Sequence, residues 1–164
     1  MTQYARLKSI ISAILFVGAV FATGNTAAQQ MLKDQILGNW MLTTVSDIHS
    51  DGRKENPWGP TVKGSASFDN KGRFTWIIIG ADLAPSGRSQ VSSRMTLAYF
   101  GAYTVDEASK TVTYTLEGST APQFDGVVRR GVVSIAGNEM KHVSAPIPVP
   151  GGTVAPNLTF KRPM

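Results

Sequence analysis

At 164 residues, with 42% hydrophobic side chains, 16 Gly and 9 Pro, the chain is long enough for one globular domain with many turns. It has no cysteine, which excludes disulfides and a cysteine-linked lipid anchor, so packing alone must hold the core. The formal net charge of +5 comes from scattered cations, and no basic run interleaves with aromatics, so nucleic acid is not an expected partner.

The N-terminus reads as a targeting segment. Arg6 and Lys8 form a positive start, the stretch from Ile10 to Ala22 is apolar apart from Ser12, and Thr26-Ala27-Ala28 offers small residues before Gln29. That order predicts a secretory signal over residues 1–28, leaving a domain over 29–164 that is secreted or periplasmic. The apolar run is short for a membrane span, and no later run is long enough, so no span is expected once the signal is cleaved. An uncleaved anchor is the alternative. Cleavage removes two cations and no acid, leaving 14 Lys and Arg against 11 Asp and Glu.

Met31 to Leu37 reads as a short helix stopped by Gly38. Trp40 to Ile48 follows as a strand, with Trp40, Leu42, Thr44 and Ser46 on one face and Met41, Thr43 and Val45 on the other. Asp51-Gly52 and Asn56-Pro57-Trp58-Gly59-Pro60 are turn chemistry. Val62 to Phe68 and Arg73 to Ile79 form a hairpin around Asp69-Asn70-Lys71-Gly72. Gly80 to Thr96 is Ser- and Arg-rich and reads as a long loop with a helical turn around Val91 to Leu97.

Tyr99 to Ser119 is the best-determined stretch. Val112, Tyr114 and Leu116 alternate with Thr111, Thr113, Thr115 and Glu117, the signature of a strand with one buried and one wet face. Its partner carries Tyr99, Gly101, Tyr103 and Val105 on one side, and Gly101 favours a bend or bulge that helps close the sheet. After a connection through Pro122, strands are expected at Val127 to Ile135, Glu139 to Ser144 and Asn157 to Lys161. Pro146, Pro148 and Pro150 place the intervening segment at an edge or off the sheet. Some eight short strands with hairpin loops and no long helix predict an all-β antiparallel up-and-down barrel or sandwich.

Gly38-Asn39-Trp40 at the start of the first strand resembles the Gly-x-Trp signature of lipocalins. Together with Asp69-x-x-Gly72-Arg73, Ala98 to Asp106, Val112 to Ser119 and Leu158 to Arg162, it makes residues 34–162 similar to the bacterial lipocalin-like domain family. The resemblance implies an eight-stranded calyx with a short N-terminal helix, its closed end plugged by Trp40 under Arg162 or Lys161. It implies no activity, because the family is largely without an assigned one. Where the family often carries histidines in the strand from Val112 to Leu116, this chain has Tyr114.

The chemistry-bearing residues are few. His49 lies beside a turn near Asp47 and Asp51, and this set reads more readily as solvated turn residues than as a metal site. His142 reads as a surface or core residue rather than a base. No Gly-x-Ser-x-Gly elbow is present. Tyr99, Tyr103 and Tyr114 are expected to face the interior, with Trp76 beside them unless Thr75 or Ile77 faces in instead. Arg129 and Arg130 fall on opposite faces of one strand, so one points inward, towards Glu117, Asp125 or an acidic ligand, unless the strand end is open and both are solvated.

The candidate ligand-binding residues are therefore Trp76, Tyr99, Tyr103, Tyr114 and Arg129. No cofactor, metal ligand or catalytic residue is assigned. The expectation is a barrel holding a small apolar molecule. An isomerase or cyclase using Tyr hydroxyls, and an interaction domain with a filled core, are the alternatives.

Overall fold

The computed structural model describes residues 31–82 and 94–164, with the side chains of residues 81, 82 and 94 left aside. The expected signal segment and most of the expected long loop lie outside those residues.

Over the described residues the chain runs from a four-residue helix, α1 (Leu32–Gln35), into ten strands. They are β1 (Gly38–His49), β2 (Lys54–Glu55), β3 (Lys63–Phe68), β4 (Arg73–Asp82), β5 (Arg94–Asp106), β6 (Thr111–Ser119), β7 (Val128–Ala136), β8 (Glu139–Ser144), β9 (Ile147–Val149) and β10 (Gly152–Lys161). A 3₁₀ turn, Pro122–Phe124, interrupts the connection between β6 and β7. Eight of the strands pair antiparallel in the order β1-β3-β4-β5-β6-β7-β8-β10, and β10 returns to β1, closing the barrel. β2 and β9 are short additions at one mouth, on β1 and β10. Of the barrel and the sandwich that the strand pattern leaves open, the architecture is the closed up-and-down barrel, consistent with the lipocalin-like calyx that the resemblance implies.

Alternation fills the interior. Phe74, Trp76 and Ile78 from β4, Val112, Tyr114 and Leu116 from β6, Met140 and His142 from β8, and Leu158 and Phe160 from β10 are all buried. Thr75 and Ile77 face out. β1 departs from the expected faces. Its register against β10 shifts between Leu42 and Thr44, so Thr43 is an extra residue and its hydroxyl donates to the Thr159 carbonyl at 3.0 Å. Such a bulge reverses the facing of everything beyond it. Val45 is consequently inside and 4% exposed, whereas Thr44 is outside.

A second bulge sits between β5 and β6, where Phe100 pairs with Gly118 but Gly101 pairs with Leu116. A Cβ on Gly101 would lie 1.9 Å from the Thr115 carbonyl oxygen, so only glycine permits this approach. Further corrections concern boundaries. α1 is shorter than expected. Arg94 to Leu97 is strand, not a helical turn. β10 starts at Gly152, five residues before the expected Asn157, because Val154, Ala155 and Pro156 already pair with β1. The Pro146–Pro150 segment supplies β9 at an edge, as its prolines require.

One end of the barrel is closed. Its loops are short: residues 69–72, 107–110 and 137–138. The Arg162 guanidinium lies 3.9 Å above the Trp40 ring and donates to the carbonyls of Leu37 (2.6 Å) and Gln35 (2.7 Å). Trp40 Nε1 donates to the Ile36 carbonyl at 2.7 Å. Glu107, in the β5–β6 turn, accepts from the first amides of α1, Leu32 N and Lys33 N. The expected cation–π plug is present, with Arg162 rather than Lys161 as the cation.

Candidate functional site

The opposite end leads into a cavity of about 400 Å³. That lies within the roughly 300–1,000 Å³ range of small-molecule sites. Its floor and walls come from alternate residues of β1, β4, β5, β6, β8 and β10: Val45, Trp76, Ile78, Tyr99, Tyr114, Leu116, His142 and Leu158. The rim carries Asp47, Trp58, Phe124, Arg129, Arg130 and Pro148. The eight-strand geometry sets the width.

The cavity gathers four of the five expected binding residues. Trp76 is fully inside, with Tyr99 tilted against it at 5.7 Å between ring centroids. Tyr114 meets Trp76 edge-on at 5.4 Å and Phe74 at 5.0 Å. Arg129 sits at the rim with its guanidinium 4.7 Å over the Phe124 ring, supplied by the 3₁₀ turn. The fifth residue, Tyr103, is elsewhere. It packs edge-on against Phe68 at 5.2 Å, near the closed end, and its hydroxyl donates to the Asp69 carbonyl at 2.8 Å. Its side chain is engaged in turn architecture and does not line the cavity.

Arg129 has no carboxylate partner among the described residues. Glu117, the expected one, is on the outer face with Arg73, which binds both of its carboxylate oxygens, at 2.5 and 2.6 Å. Strand polarity explains this: Leu116 faces in, so Glu117 faces out, where Arg73 reaches it across β5.

His142 is the residue that sequence reasoning left unplaced. It is 3% exposed, and its ring stands edge-on to Trp76 at 4.9 Å and against Tyr114 at 5.5 Å. The signal was available: Lys141 and Val143 take the outer face, which leaves Met140 and His142 inside. β7 makes room for the imidazole through Gly131, where a Cβ would fall 2.2 Å from His142 Nε2. Burial pushes the His142 pKa down to about 4, so the ring is neutral at pH 7.

The hydroxyls are equally fixed in the neutral form. Burial holds the Tyr114 phenol well above its usual range, with Tyr99 and Tyr103 adding to the rise. Burial does the same to Tyr99, and the nearby Arg129 charge pulls the other way. At the rim, partial burial raises the Asp47 carboxyl, with His49 opposing and Glu55 reinforcing. His49 itself is committed. Arg53 lies 3.1 Å from its Nδ1 and Glu55 lies 2.9 Å from its Nε2, tying β1 to β2. The interior is thus a neutral, aromatic space, with Arg129, Arg130 and Asp47 at its mouth.

Comparison with known proteins adds no assignment: no family model matches the chain, and no curated protein is significantly similar to it. Among the described residues, no helix is long and apolar enough to cross a membrane.

Proposed function

We propose that this chain is an exported member of the bacterial lipocalin-like family and that its barrel binds one small, mainly apolar molecule. The observation that carries this reading is the 400 Å³ cavity, reached from one end and walled by Trp76, Tyr99, Tyr114, Leu116 and Leu158. A barrel built only as an interaction domain has no need to keep that volume, since eight strands are narrow enough for side chains to fill. Apolar walls supply affinity and the few polar atoms supply orientation.

The cavity's tyrosines argue against proton transfer. Phenols held above their usual pKa are poorer acids and are not ionised to act as bases near neutral pH. The interior is suited to holding a molecule rather than converting it.

The test is native mass spectrometry of the mature protein from an exporting host, followed by solvent extraction. The expected result is a stoichiometric adduct that disappears on denaturation, or, for protein recovered without one, saturable binding of the neutral apolar fluorophore N-phenylnaphthylamine. Absence of both overturns the binding reading. The mature N-terminus read from the same mass tests export: a chain starting at Gln29 supports it, and an intact Met1 on protein from that host opposes it.

A further inference from the structure

Among the described residues, four buried side-chain atoms have no hydrogen-bond partner: Trp76 Nε1, Tyr114 Oη, His142 Nδ1 and His142 Nε2. They belong to three residues, all of which line the cavity. Their rings form a triangle with centroids 4.9, 5.4 and 5.5 Å apart. Each of the three residues is 3% exposed.

Unpaired polar atoms are not a general habit of this barrel. Trp40 Nε1 and Tyr103 Oη, the corresponding groups near the closed end, both donate to backbone carbonyls. Natural structures satisfy most buried polar atoms, so a local cluster of exceptions calls for an explanation. Here the exceptions coincide with the aromatic-walled cavity described above.

The hydrogen-bonding inventory narrows what fits. Trp76 Nε1 only donates; Tyr114 donates and accepts; neutral His142 has one donor and one acceptor nitrogen. No fixed charge is among them, so a carboxylate or ammonium would be desolvated without a counter-charge. A neutral oxygen suits the set: it accepts from Trp76 or Tyr114, and a hydroxyl can also donate to His142. Flat aromatic walls favour a flat body behind that oxygen.

We infer that the ligand is a flat apolar molecule bearing a neutral oxygen, hydroxyl or carbonyl, and that it enters oxygen first to dock among Trp76, Tyr114 and His142. This rests on the ligand-holding barrel proposed above. The rim cations Arg129 and Arg130 then face the trailing end of the molecule, not its recognised group.

The experiment is displacement of N-phenylnaphthylamine by three probes on one biphenyl body: para-phenylphenol, para-methylbiphenyl and biphenyl-para-carboxylate. The methyl group replaces the hydroxyl at nearly equal size. The expected result is that the phenol binds about tenfold more tightly than the methyl compound, the difference that one well-placed buried hydrogen bond makes. In Trp76→Phe and in Tyr114→Phe, tested separately and checked for cooperative unfolding, the advantage should shrink to within about threefold. The methyl compound's own affinity should hold.

Equal binding of phenol and methyl compounds to the unaltered protein overturns the inference but leaves the apolar-binding reading standing. Tightest binding by the carboxylate overturns it in favour of recognition at the arginines. An advantage that survives both substitutions overturns the assignment to this triangle. Failure of N-phenylnaphthylamine and all three probes to bind removes the underlying reading as well.

Discussion

His142 is the group through which the interior can be tested most directly for stability. Replacing it with leucine keeps about the same volume and removes two nitrogens that have no partner. A buried unpaired polar group costs about 1–3 kcal/mol, so His142→Leu should raise stability at pH 7 by about that amount. Acid should widen the gap. The folded pKa of about 4 lies below the ordinary 6.5, so between these values the unfolded chain binds more protons than the folded one. Stability therefore rises with pH through that window and is flat above it for this group. At about 1.4 kcal/mol per unit, the full loss on acidification approaches roughly 3 kcal/mol. The leucine variant lacks this slope, whereas titration of Asp47 and the surface carboxylates is common to both proteins and largely cancels. Urea titrations between pH 4 and 7.5, read by tryptophan fluorescence and circular dichroism, measure the difference. Parallel stability curves for the two proteins, or a leucine variant less stable at pH 7, would refute the reasoning.

The closed end should respond in the opposite sense. Arg162→Met removes the cation above Trp40 and leaves two helix-end carbonyls without their donor, so equilibrium denaturation should show a loss of about 2–4 kcal/mol. Gly131→Ala drives a methyl group against the His142 imidazole and should cost about 1–3 kcal/mol. Adding His142→Ala vacates that space, so the double variant should fall well short of the sum of the singles in the same assay, and additive losses would place the strain elsewhere. Phe124→Ala removes the surface on which Arg129 lies, and should weaken binding of a biphenyl carboxylate more than that of the matching methyl compound by displacement titration.

The fold was legible because its signal is periodic. Val112, Tyr114 and Leu116 alternate with threonines, and that run reappears as β6 with its apolar set inside. The interior tyrosines followed from the same alternation, whereas the choice between Trp76 and its neighbours Thr75 and Ile77 was settled only by the strand pairing, which turns Trp76 inward. Alternation fails wherever a bulge intervenes: Gly101 marked the bulge between β5 and β6 in the sequence, but nothing in Leu42-Thr43-Thr44-Val45 marks Thr43 as the extra residue. Tyr103 illustrates a different limit. The facing of its side chain was correctly read, but whether an inward tyrosine meets a cavity or a turn carbonyl depends on its height in the barrel, which only the strand register against Asp69 settles. Glu117 shows a third difficulty, because its ion-pair partner, Arg73, comes from a strand more than forty residues away.

The two ends of the barrel divide stability from recognition. At the closed end, helix, turn and strand termini exchange hydrogen bonds until Trp40, Tyr103, Glu107 and Arg162 are all engaged. The mid-barrel triangle of Trp76, Tyr114 and His142 does the reverse, keeping polar atoms buried and unpaired where leucine or phenylalanine would pack as well. That arrangement is destabilising in the empty protein and becomes favourable only when something supplies the missing partners. A molecule present at a hundred times its dissociation constant adds about 2.7 kcal/mol to stability, comparable with the cost of one unpaired group. Ligand-induced gains in melting temperature should therefore be largest in the unaltered protein. In His142→Leu, whose empty state is already relieved of that cost, the gain from an oxygen-bearing ligand should be smaller even though the starting stability is higher. A variant that gained stability and retained the full ligand-induced increment would separate the two properties and remove His142 from the recognition site.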